Sequence, residues 1–166
     1  MHPETVWSCT WNLAVTPGLT SEMTYFLWRM IHNILPTNDR LCKLNMPGSP
    51  SLCNLCDSSS LDSIEHALFQ CNSSTTSATF LLSTVRNVLP DVQPQHVLLL
   101  DFDLSSSDQL PIMFVISSVL SQIWNSRKSG KTSNLHTVRS NLEAGIQILR
   151  KSRHYTAANR AIELLC

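Results

Sequence analysis

The chain has 166 residues, of which 43% are apolar and only 14% charged. That length fits one domain, or one domain with a helical tail. A charge content below the usual value of roughly 25% disfavours long solvated helices and favours Ser-, Thr- and Asn-rich loops. The net charge of zero conceals an asymmetry: residues 1–126 hold four basic side chains against ten acidic, a balance of −6, and residues 127–166 hold eight against two, a balance of +6. Met1-His2-Pro3-Glu4 has neither the cationic start nor the apolar run of a secretory signal. The most apolar stretch, Leu110 to Leu120, is interrupted by Pro111, Ser117 and Ser118 and falls short of the ~18 residues of a membrane span. A soluble intracellular protein, cytoplasmic or nuclear, with reduced thiols and no membrane partner is therefore expected.

In chain order, Trp7 to Val15 is aromatic and β-branched and ends at the turn Thr16-Pro17-Gly18. It is expected as a strand or an extended arm. Thr20 or Ser21 caps a helix over Glu22 to Leu35, whose Met23, Phe26, Leu27, Met30, Ile31 and Ile34 follow helical spacing. Pro36 ends it, and Thr37 or Asn38 caps a short helix through Leu44. Phe26, Trp28, Ile31 and Leu35 are expected to surround the core that seats the cysteine-bearing loop. After the loop Met46 to Pro50, Asp62 or Ser63 caps a helix to about Phe69. Ser74 to Leu89 forms another, with Phe80, Leu81, Val85 and Leu89 inward. Pro90 to Pro94 breaks the chain, and Val97 to Phe102 reads equally as a buried strand or a helical turn. Ser107 or Asp108 caps a long apolar helix to about Arg127. The loop Ser129 to Ser133 precedes a last helical region, Asn134 to Leu165, with a break near His154.

The fold class is mainly α. A small helical domain organised around the cysteine-bearing loop is expected over residues 1–100, with its core at about 7–90, followed by a helical C-terminal region with a basic tail over 101–166.

The chemistry lies in Cys53-x2-Cys56-x9-His66-x4-Cys71. Zinc takes four Cys and His ligands in a tetrahedron, and a set of three Cys and one His with no open position is structural. Two cysteines separated by two residues reach one ion from a single turn. His66 on a short helix, with Cys71 beyond its last turn, can bring the second pair back to the first. Taken singly, a cysteine or histidine is more often inert core, and a lone C-x2-C pair can be a redox motif, but that reading needs a βαβ context. The four together point to Zn2+. Cys9, Cys42 and Cys166 have no such neighbours, and Cys42 alone could substitute as a ligand. Residues 53–71 contain no Lys or Arg, and Asp57, Asp62 and Glu65 add to the negative charge of three thiolates. This segment is therefore unsuited to holding phosphates.

Catalytic patterns are missing. No Gly-x-Ser-x-Gly elbow occurs, Gly130-Lys131-Thr132 lacks the earlier glycine of a phosphate loop, and four protein ligands leave a zinc ion no open position. The chain is expected to be no enzyme and to have no small-molecule substrate.

An ordered series of short motifs adds to this reading: Trp7…Trp11-Asn12-Leu13-Ala14-Val15, then Phe26-Leu27-Trp28-Arg29-Met30, then Ile34-Leu35-Pro36-Thr37-Asn38-Asp39-Arg40-Leu41, then Cys53-Asn54-Leu55-Cys56, then Ser63-Ile64-Glu65-His66-Ala67-Leu68-Phe69-Gln70-Cys71. Over roughly residues 7–72 the chain resembles the zinc-binding domain downstream of the reverse transcriptase in LINE-like, non-LTR retrotransposon polyproteins. Ile123-Trp124-Asn125-Ser126-Arg127 is similar to a helix that often follows there. The resemblance implies the same four ligands, Cys53, Cys56, His66 and Cys71, and an accessory module that helps a polymerase hold template RNA or target DNA. The Asp-Asp dyad of a polymerase and the motifs of an endonuclease are absent, so the chain reads as the C-terminal piece of such a polyprotein. If nucleic acid is bound, the contact is expected on the basic tail, at Arg127, Lys128, Lys131, Arg139, Arg150, Lys151 and Arg153. The alternative is a protein-interaction or structural module, with a reverse transcriptase or another protein as partner, or a retroelement remnant without function.

Overall fold

The computed structural model describes residues 10–48, 50–56, 59–152 and 154–165. Trp7, Cys9, Asp57, Arg153 and Cys166 lie outside them. The regular structure among the described residues is helical, apart from a single antiparallel bridge between Leu52 and Leu61. Residues 10–14 form a helical turn where a strand or extended arm was expected. The turn closes on itself, with the Val15 amide donating to the Trp11 carbonyl and the Thr16 hydroxyl to that of Leu13. It buries Leu13 and Ala14 and leaves Trp11 partly exposed. No neighbouring strand is available among the described residues to satisfy an extended backbone.

Helix α1, Ser21–Ile31, starts at Thr20, whose hydroxyl accepts the Met23 amide, and buries Phe26, Leu27, Met30 and Ile31. It ends four residues before the expected Leu35, because Asn33 adopts a left-handed φ of 51°, a conformation Asn tolerates and most residues do not. Trp28 is half-buried and stacks on Tyr25 at 6.0 Å, beside the core and not in it. Its neighbours Leu27 and Leu35 are 0% and 1% exposed. Helix α2, Asn38–Lys43, is capped by Thr37. Helix α3, Thr75–Arg86, turns Ala78, Leu81 and Val85 inward. The ambiguous segment after it is helical: α4, Pro94–Leu99, is stopped by Leu100 at φ 50°.

Helix α5, Ser106–Lys128, is the centre of the fold. Its N-cap is Ser105 and not Ser107 or Asp108: the Ser105 hydroxyl accepts the Asp108 amide. Along α5 Ile112, Met113, Val115, Ile116, Val119 and Leu120 are all fully buried, and a helix apolar on every side must be covered on every side. The cover comes from α1, α3, α6 (Leu135–Lys151) and α7 (Tyr155–Leu165), which all pack on it. Pro111 is admitted near the start of α5, where the lost backbone bond would go to the carbonyl of exposed Ser107. The break expected near His154 separates α6 from α7. Gly18, at φ 102°, makes the turn before α1 with the Leu110 side chain 2.8 Å from where a Cβ would sit, so only glycine fits. One apolar cluster runs from Leu13 to Leu164 and joins the segments on both sides of residue 100. No helix among the described residues is long and apolar enough to cross a membrane.

Candidate metal centre

The Leu52–Leu61 bridge closes the loop that carries the first two cysteines. The Cys53 amide donates to the Ser60 carbonyl at 2.9 Å and the Asp62 amide to that of Ser51 at 2.9 Å. The loop folds back on its own sulfur, with the Leu55 amide donating to Cys53 Sγ at 3.4 Å. Helix α2 holds this bridge from the other side: Asn38 Nδ2 donates to the Leu52 carbonyl at 2.9 Å, and the Asn38 amide to Asp62 Oδ2 at 2.8 Å.

His66 stands at the start of a single π-helical turn, His66–Gln70. The Ser63 hydroxyl accepts the His66 amide, so Ser63, not Asp62, caps this segment. The turn closes with the Cys71 amide donating to the His66 carbonyl at 2.7 Å. In an ordinary α-helix residues i and i+5 diverge around the axis. The wider π turn returns residue 71 to the side of residue 66, as single π turns at functional sites often do. The x4 spacing between His66 and Cys71 is thereby explained.

The four ligand atoms of Cys53, Cys56, His66 and Cys71 all lie within 4.8 Å of one another. Cys53 Sγ and Cys71 Sγ are 3.8 Å apart, and Cys56 Sγ is 3.4 Å from His66 Nε2. Tetrahedral zinc with Zn–S of about 2.3 Å and Zn–N of about 2.0 Å implies edges of about 3.8 Å for S–S and about 3.5 Å for S–N. The donor set fits such an ion in chemistry, and these two edges match it in size. Cys53, His66 and Cys71 are buried and Cys56 is half-buried. Cys42 is exposed and stands outside the cluster.

The surroundings differ from what the local sequence implies. Arg127, from the C-terminal end of α5, reaches the centre: Nη2 donates to Cys53 Sγ at 3.5 Å and Nη1 to Cys71 Sγ at 3.9 Å. The same guanidinium pairs with Asp62, and the two side chains are 8% and 2% exposed. Burial pushes the Cys53 thiol up, but hydrogen bonds from Arg127, the Leu55 amide and His66 outweigh it and carry the group below its ordinary value. Burial dominates at Cys71 and holds its thiol up, with partial relief from Ser73, whose hydroxyl is 3.1 Å from the sulfur. Arg127, despite its burial, is held more firmly protonated by Asp62 and Cys53.

Residues 2–77 match the family model described as zinc-binding in reverse transcriptase. This N-terminal segment is similar to the zinc-binding domain of reverse transcriptases. No curated protein and no solved structure matches the chain. All four candidate ligands fall inside the matched residues, whereas Arg127 lies fifty residues beyond their end. The other tail cations are dispersed on the outside: Lys128, Lys131, Arg139, Arg150 and Lys151 are exposed. Arg139 lies over the Phe80 ring at 5.3 Å, and Arg150 donates to Asn159. The local sequence does not place Arg127 beside these sulfurs. Asp62, a charged residue set between Leu61 and a helix start, was the one local sign that a distant cation was needed.

Proposed function

We propose that this chain is a zinc-binding, non-catalytic accessory module of reverse-transcriptase type that assists the binding of RNA or DNA. The closed Cys3His set carries the zinc reading: four protein donors within 4.8 Å of one another would leave a bound ion no position for water or substrate, so the ion organises the fold and does no chemistry. The match of residues 2–77 to a zinc-binding domain of reverse transcriptase supports the accessory role. Exposed Lys128, Lys131, Arg139, Arg150 and Lys151 are the groups suited to phosphate, and Arg153 is the further candidate from sequence. A second reading, a module that docks on a protein such as a polymerase, is favoured by Leu52 and Leu61. These bridge partners stand beside the metal loop at 45% and 49% exposure.

Native mass spectrometry should find one zinc per chain, lost in Cys56→Ser or His66→Ala. A chain equally well folded in excess chelator would defeat the zinc reading. Titration with single- and double-stranded RNA and DNA at two salt concentrations tests the rest. Binding through the tail should weaken by about 0.7–0.9 log units per log unit of salt for each phosphate contacted, and Arg150→Ser with Lys151→Ser should flatten that slope. No retention of any nucleic acid at about physiological salt would favour the protein-docking reading.

A further inference from the structure

We propose that Arg127 is a positioning residue of the metal centre. It holds Cys53 and Cys71 in ligand geometry and lowers the negative charge that the site would otherwise bury. The inference rests on the zinc reading above and adds to it a part of the site outside the family segment.

The charges require it. Three thiolates and a neutral imidazole around a divalent ion sum to −1. Asp62, 2% exposed, would take the buried group to −2 if it stood alone. An unpaired buried charge is among the most expensive features a fold can contain. The Arg127 guanidinium returns the sum to −1. Its fork also divides its donors in the way that an oriented ligand shell needs, with one nitrogen toward Cys71 and the other toward Cys53 and Asp62. N–H groups aimed at metal-bound sulfur fix the direction of its lone pairs and stabilise the thiolate, and such outer partners typically govern metal affinity. Lysine could not do the same, because an ammonium on a flexible stem presents no planar fork.

Asp62 is the hinge of the arrangement. Its second oxygen accepts the Asn38 amide at the start of α2, so the carboxylate ties α2, the metal loop and α5 into one unit. The chain just beyond Arg127 reinforces this: the Ser133 amide donates to the Ser73 carbonyl at 2.7 Å, two residues from Cys71. The C-terminal region therefore grips the ligand shell at two points. Arg127, unlike the exposed cations near it, is thus spoken for and contributes no phosphate contact.

The test measures zinc affinity of the full chain by competition with a chromophoric chelator, together with the absorption of the Co2+-loaded protein. Arg127→Met should bind zinc roughly 10–100-fold more weakly, and its sulfur-to-cobalt charge-transfer band should move to lower energy as the sulfurs lose their N–H donors. Arg127→Lys, which keeps the charge and loses the fork, should fall between. Wild-type zinc affinity and an unmoved cobalt band in folded Arg127→Met, with a melting temperature lowered equally in zinc-loaded and zinc-free protein, would overturn the proposal and leave Arg127 as packing. If Arg127→Met does not fold, Arg127→Lys decides, and unchanged affinity and spectrum there overturn it. Zinc bound by the wild type and lost from His66→Ala separates this failure from that of the zinc reading, which falls, and this proposal with it, if the wild type takes up no zinc or folds equally well in excess chelator.

Discussion

Leu27 and Trp28 are adjacent in sequence and face different surroundings. Leu27 is fully buried in the core cluster, whereas Trp28 lies along the side of α1, stacked on Tyr25 and tilted against His32 at 5.0 Å. Size alone suggests that the tryptophan matters more, since truncating a large core aromatic costs about 3–5 kcal/mol. The structure reverses that order. Leu27→Ala should destabilise by about 2–5 kcal/mol, measured by urea denaturation, and Trp28→Ala by clearly less. Equal losses would place Trp28 in the core after all. The same sensitivity to a single residue appears at Asn33, whose left-handed backbone ends α1 early and lets the chain turn so that Leu35 can be buried as well.

At the scale of elements, two contacts make testable demands. Gly145 sits inside α6, where alanine would ordinarily be favoured by about 1 kcal/mol. Here a Cβ would stand 2.5 Å from Phe114 Cζ, and Phe114 is itself buried in α5 at 4% exposure, with little room to move. Gly145→Ala is expected to destabilise, by about 1–3 kcal/mol, and thermal unfolding gives the sign directly. The second contact joins the start of α5 to α7. Asp108 accepts from Ser105 and from Arg160 Nε at 2.9 Å, and these partners, Ser105 first, hold its carboxyl below the ordinary range. A depressed folded-state pKa contributes stability that is present above the unfolded value of about 3.9 and lost as pH falls through the folded value. Asp108→Asn should therefore melt below wild type at neutral pH, with a gap that narrows once the pH drops below about 4. A gap independent of pH would show that the carboxylate's charge plays no part.

For the whole molecule, the position of α5 matters most. Leu27, Leu68 and Leu81, all on the N-terminal side of residue 100, are fully buried in the same cluster as Ile116, Leu120 and Ile123 of α5. Removing residues 101–166 would bare this face and take away the partner of Asp62. A chain ending at residue 100 is expected to show no cooperative urea transition even with zinc present. A sharp, zinc-dependent transition in that fragment would establish that the first 100 residues fold alone.

The helical class, most caps and the four candidate ligands are legible in the sequence, because these depend on local features. Helical spacing, a Thr ahead of a helix, and C-x2-C with H-x4-C act over a few residues and can be read one segment at a time. The conformation of residues 10–14 and of 97–102 was not readable in this way, since short apolar runs suit either strand or helix and only neighbouring elements decide between them. The π turn that makes x4 work, the half-buried place of Trp28 and the service of Arg127 to sulfurs 56 and 74 residues away were decided by tertiary structure alone. Each depends on which surfaces meet when α5 is enclosed, and a buried charge finds its partner through that packing and not through its neighbours in the chain.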